Sequence, residues 1–138
     1  MAILVAYDGS EPAQKAVEYA VREHPGEELI LLRVVELADS YTDAGISLFQ
    51  ETFKERRKEA ATELSEDVLE LLDPDEVEYD TETVVGDPAR EIVAYAEEHD
   101  IDHVIVGSHG RKGVSRVLLG SVAEKIVRRS PVPVTVVR

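Results

Sequence analysis

Five short apolar runs alternate with four amphipathic segments along this chain, and that alternation admits few folds. The runs are Ala2 to Tyr7, Glu28 to Val35, Val77 to Val84, Asp102 to Val106 and Pro131 to Val137. Most are nearly continuous in apolar residues, as expected of strands covered on both faces. Val77 to Val84 instead alternates charged and apolar residues and reads as an edge strand with one wet side. Between the first two runs, Ser10 can cap a helix in which Ala13, Ala16, Val17 and Ala20 recur at helical steps, and Pro25-Gly26 ends it. A long helix from about Ser47 to Leu72 follows, with Phe49, Phe53, Ala60, Leu64, Val68 and Leu71 on one side. Gly86-Asp87-Pro88 supplies a turn, a cap and a first-turn proline for a third helix with Ala89, Ile92, Val93 and Ala96 as its core stripe. The last helix starts near Val122 and runs to about Arg129. The order β-α-β-α-β-α-β-α-β implies a parallel sheet with helices on both faces and right-handed crossovers.

Ligands of such sheets sit beyond the strand C-termini, where strand order reverses. If the first strand is central, Asp8-Gly9-Ser10 and the segment after the fourth strand flank that point. The latter begins Gly107-Ser108-His109-Gly110 and ends at Gly120-Ser121, between an apolar strand and an amphipathic helix. A glycine-rich link of this kind lets backbone N–H groups face a phosphate. Glycines also serve plain turns, and Ser121-Val122-Ala123-Glu124 reads as a capping box for the last helix. Asp8 could contact a ribose hydroxyl, hold Mg²⁺ or simply shape an Asp-Gly turn. His109 reads as a solvated loop side chain.

Charge points the same way. The chain carries a formal −14, from 29 acidic residues against 15 basic ones. Between Gly107 and Arg138, however, seven basic residues meet Glu124 alone, a local balance of +6, so residues 1–106 carry −20. Arg128 and Arg129 suit a helix C-terminus. Arg111, Lys112 and Arg116 are interleaved with the glycines, as a polyphosphate ligand would require. The acidic remainder repels nucleic acid and anionic membranes, and so acidic and lysine-poor a composition suggests solubility in high salt, as in a halophile's cytoplasm.

Other classes drop out. With no cysteine there is no disulfide, thiolate nucleophile or Cys-type zinc site. The four histidines show no close ligand spacing. Neither Gly-x4-Gly-Lys-Ser/Thr nor Gly-x-Gly-x-x-Gly after a strand occurs. No serine stands on a nucleophile elbow, and hydrolysis has no obvious general base beyond Asp8. There is no apolar run of about 18 residues and no signal-peptide pattern, so we expect a cytoplasmic protein without membrane partners. The length and a hydrophobic content of 43% suit one domain over 1–138.

The whole chain resembles the single-domain, nucleotide-binding universal stress proteins. The likeness rests on Val5-Ala6-Tyr7-Asp8-Gly9-Ser10, on Val85-Gly86-Asp87-Pro88, and on Val106 through Gly120-Ser121 to the valine-rich end. That family's ATP signature, Gly-x2-Gly-x9-Gly-Ser/Thr, is complete here, with Ser108-His109 and Arg111 to Leu119 as its spacers. The resemblance implies a Rossmann-like, adenine nucleotide alpha hydrolase-like fold with sheet order 3-2-1-4-5. It also implies that ATP with Mg²⁺ or Mn²⁺ is bound. Gly107, Gly110, Gly120 and Ser121 would hold phosphates and ribose, with Asp8 by the ribose and metal, and Gly9, Ser108 and Val122 would complete the nucleotide-binding set. Val35 would offer backbone groups to the adenine edge, and Gly86 would lie close by. A contact from Arg111 is inferred from charge, not from the signature. The family dimerises through its last strand, which Val132, Val134, Val136 and Val137 fit. The expected role is a nucleotide-dependent stress-response regulator, with a slow or partner-activated ATPase or phosphotransferase as the alternative. AMP or a cyclic nucleotide could replace ATP.

Overall fold

The computed structural model describes residues 1–36, 46–108 and 120–138, and the side chains of all of these but 46–53. The elements follow in the expected order: β1 (Ala2–Ala6), α1 (Glu11–Glu23), β2 (Glu28–Val35), α2 (Ile46–Leu71), β3 (Tyr79–Val85), α3 (Pro88–Glu98), β4 (His103–Gly107), α4 (Ser121–Arg129) and β5 (Val134–Val137). The strands form one sheet in the order β3-β2-β1-β4-β5, and every neighbouring pair is parallel.

Side-chain alternation along the central strands builds two cores. Ile3, Val5, Leu29, Leu31 and Ile105 point to one face, where α1 contributes Ala13, Ala16, Val17 and Ala20 and α2 contributes Leu64 and Val68. Leu4, Ile30, Leu32, Val104 and Val106 point to the other, beneath Ala89, Ile92 and Ala96 of α3 and Ala123 and Ile126 of α4. A period of two over a sheet covered on both faces leaves no polar side for these strands, hence their continuous apolar sequence.

The sheet's two edges differ. On β3, Asp80 and Glu82 are exposed, so charge blunts that edge. On β5 the residues Val134-Thr135-Val136-Val137 are half-buried and carry no charge. This strand is shorter than the Pro131 to Val137 run suggested. Proline cannot donate a ladder bond, and Pro133 only accepts one, from the Val104 N–H at 3.0 Å. β3 starts at Tyr79, two residues later than its alternation suggested, and β4 ends one residue later, at Gly107.

Candidate functional site

The C-terminal ends of β1, β2, β3 and β4 bring Asp8, Gly9, Val35, Gly86, Gly107 and Ser108 to one rim of the sheet. After β1, the Tyr7 N–H extends the ladder by donating to the Leu32 carbonyl at 3.0 Å. The chain then turns through Gly9, whose φ of 81° lies in the left-handed region that side-chain-bearing residues avoid. Half-buried Asp8 closes this turn, with its Oδ1 accepting the Ser10 N–H at 2.9 Å and the Ser10 hydroxyl proton as well. The Ser10 Oγ in turn accepts the Ala13 N–H at 3.3 Å, which caps α1 as its sequence suggested.

Gly107 stands at the end of β4, against the first turn of α1. A Cβ there would lie 2.8 Å from the backbone carbon and oxygen of Pro12, a distance real side chains do not adopt. Glycine is therefore required for the two segments to meet, and their meeting brings the Asp8 turn beside the end of β4. Ser108 follows and is buried. Its N–H donates to the Val137 carbonyl at 2.8 Å, and its own carbonyl accepts the Gly120 N–H at 2.5 Å. One strand over, the Gly86 N–H donates to the Val35 carbonyl at 3.0 Å, joining the ends of β2 and β3. Gly110, Arg111 and His109 lie outside the described residues, as does most of the Glu36 to Gly45 connection.

The start of α4 departs from the sequence reading. Gly120, not Ser121, is the N-cap, and among the described residues no side chain caps the helix. Ser121 is already its first helical residue, and the Glu124 carboxylate turns away to pair with Arg128 at 2.8 Å. The capping box is thus absent. By contrast α1 and α3 are capped by Ser10 and Asp87, so among the described residues the first N–H groups of α4 have no side-chain acceptor. Val122, next in line, packs on the second core.

A small cavity of about 60 Å³ opens beside this rim on the α2 side, lined among others by Tyr7, Gly9, Arg33, Glu63 and Asp67. The Tyr7 hydroxyl donates to Asp67 Oδ2 at 3.2 Å. Burial, and then the neighbouring Asp67 charge, push this phenol up to about 12. No local sequence signal joins these positions, because they come from β2, α2 and the turn after β1. Among the described residues, no group of three or more His, Cys, Asp or Glu side chains is placed to hold a metal ion.

A five-stranded parallel sheet in this order, with a glycine-bounded link after β4 and an aspartate turn after β1, defines a nucleotide-type α/β architecture of the adenine nucleotide alpha hydrolase-like class. The universal stress protein family pattern matches residues 1–138, and the chain belongs to that family. It is 31% identical to universal stress protein MJ0577 of Methanocaldococcus jannaschii, over 99% of this chain and 93% of that protein. It is 33% identical to YxiE of Bacillus subtilis, over 99% and 97%. The solved structure of MJ0577 superposes with a TM-score of 0.79 at 33% identity, covering 99% of this chain and 94% of that one. The fold is shared more distantly by a universal stress protein in complex with cAMP, at TM-score 0.63 and 24% identity. It is also shared by an Arabidopsis thaliana member with AMP bound, at 0.62 and 17%.

Proposed function

We propose that this chain binds ATP across the ends of β1 and β4 and acts as a nucleotide-dependent regulator in the stress response. The observation that carries this reading is the N-terminus of α4, which begins at a glycine with no side-chain cap among the described residues, at the rim where ligands of such sheets sit. An anion there meets the positive end of the helix and N–H groups that need acceptors. Two proteins that share the fold hold adenine nucleotides, cAMP in one and AMP in the other, which agrees with the ligand class.

In this reading the phosphates lie on Gly107, Ser108, Gly110, Gly120, Ser121 and Val122, with Arg111 supplying charge. Asp8 and Gly9 meet the ribose and the metal, while Val35 and Gly86 border the adenine. Mg²⁺ or Mn²⁺ fits this donor set, because such an ion commonly takes one or two carboxylates and completes its shell with phosphate oxygens and water. Asp8 would be the protein's oxygen ligand, and the metal would neutralise phosphate charge in an acidic chain. The uncharged β5 edge would pair with a second copy through residues 132–137, giving a cytoplasmic homodimer.

The test is to purify the protein, extract its bound small molecules, and titrate the emptied protein with ATP and Mg²⁺. We expect ATP to be recovered and rebound, and to stay intact over hours. Gly120→Val should lower affinity at least about tenfold, yet fold normally, because φ −60° and ψ 153° at Gly120 suit any residue. A wild-type protein that ignores ATP, or a valine variant that binds it as well, would defeat the reading. Many turnovers per hour by the isolated protein would instead make it an enzyme.

A further inference from the structure

Resting on that nucleotide reading, we infer that Ser10 is a positioning residue that sets the Asp8 carboxylate in advance for a ribose hydroxyl, and so makes the site selective for ribonucleotides. Ser10 gives both its N–H and its hydroxyl proton to the same oxygen, Asp8 Oδ1. Two bonds to one oxygen fix the carboxylate's torsions before any ligand arrives. Oδ2, which takes neither bond, is then the oxygen that meets a ligand. Immobilising a rotatable side chain during binding costs free energy, and here that ordering is already done.

Ser10 is itself held from both sides. Its Oγ accepts the Ala13 N–H at 3.3 Å, so its rotamer is tied to the first turn of α1. That same turn, through Pro12, packs against Gly107 so closely that no Cβ fits between them. The position of the carboxylate is thereby referred, through Ser10 and the α1 turn, to the end of β4, the opposite wall of the proposed site. Ser10 has one hydroxyl proton, and it is committed to Asp8. It therefore cannot be donated to a phosphate, and the residue acts through Asp8 and not on the ligand directly.

The test compares ATP with 2′,3′-dideoxy-ATP by calorimetric titration of the full chain in Mg²⁺ buffer. Wild type should prefer ATP by about 10- to 100-fold, the worth of a hydrogen bond to a charged group. Ser10→Ala should bring that preference to about threefold or less by weakening ATP much more than the dideoxy compound. Ser10→Thr, which keeps the hydroxyl, should retain it. Loss of the helix cap alone would weaken both nucleotides alike and keep the wild-type preference, and that result would overturn the inference. If circular dichroism shows Ser10→Ala to be unfolded, Ser10→Gly replaces it, since an N-cap tolerates glycine far better than alanine. A wild type that binds both nucleotides equally overturns this inference alone. One that binds neither overturns the nucleotide reading beneath it.

Discussion

Gly107 and Gly120 belong to one motif, yet their surroundings ask for glycine on different grounds. At Gly107 the missing Cβ is space filled by the Pro12 backbone, 2.8 Å away, so the requirement is internal to the fold. At Gly120 the backbone angles are ordinary, and nothing in the local conformation forbids a side chain. The two substitutions should therefore separate stability from binding. Gly107→Ala forces a methyl into main-chain atoms that cannot rotate away, and we expect a loss of about 1–3 kcal/mol in urea unfolding. Gly120→Val should leave the unfolding midpoint near that of the wild type. If Gly107→Ala is as stable as the parent, α1 is able to slide off β4, and the rim is less fixed than its contacts imply.

At the scale of elements, what could be read from sequence was what local chemistry decides. β2 spans Glu28–Val35 as its apolar run suggested, and Ser10 and Asp87 cap α1 and α3, since an N-cap bonds within three residues of itself. The start of α4 was misread for the opposite reason. Ser-x-x-Glu has capping-box spacing whether or not its serine is the cap. Here the Gly120 carbonyl accepts the Glu124 N–H at 2.9 Å, which makes Gly120 the cap, while its own N–H is held by the distant Ser108 carbonyl. The site showed the same division: the Asp-Gly-Ser turn was visible, but the Pro12 contact and the Tyr7 and Asp67 pair were not, because only the fold brings them together. The foot of β4 was equally hidden. There His103 Nε2 lies 2.6 Å from Thr135 Oγ1 of β5, and the ring stands 5.3 Å from that of His24, centroid to centroid. Burial, and then the His24 charge, lower the His103 pKa from its usual value near 6.5. The folded state thus favours neutral His103. Its contribution to stability is complete above the unfolded value of about 6.5 and is lost as pH falls through the lower folded value. Wild type should therefore lose stability relative to His103→Gln between pH 7.5 and 5. A difference that does not vary with pH would mean the pair is already relieved by solvent.

For the molecule as a whole, α4 is a basic element in an acidic chain. Lys125, Arg128 and Arg129 are exposed on this helix against Glu124, while residues 1–106 carry −20. The ion pairs seen among the described residues, such as Lys15 with Glu11 and Arg128 with Glu124, join exposed groups and offset little of that repulsion. Self-repulsion of this size disfavours the compact state, and salt should relieve it, because the screening length falls from about 10 Å at 0.1 M to about 3 Å at 1 M. The urea midpoint should therefore rise as NaCl is increased over that range, urea being chosen because it adds no charge of its own. Under the proposed function the phosphates meet the positive end of the α4 dipole and Arg111, and salt screens that attraction as well, so ATP affinity should fall over the same range. Opposite slopes for stability and affinity are what the proposed phosphate site in so acidic a chain requires. A midpoint that falls with salt would mean that the ion pairs outweigh the repulsion. An affinity that does not change would place the phosphates away from α4.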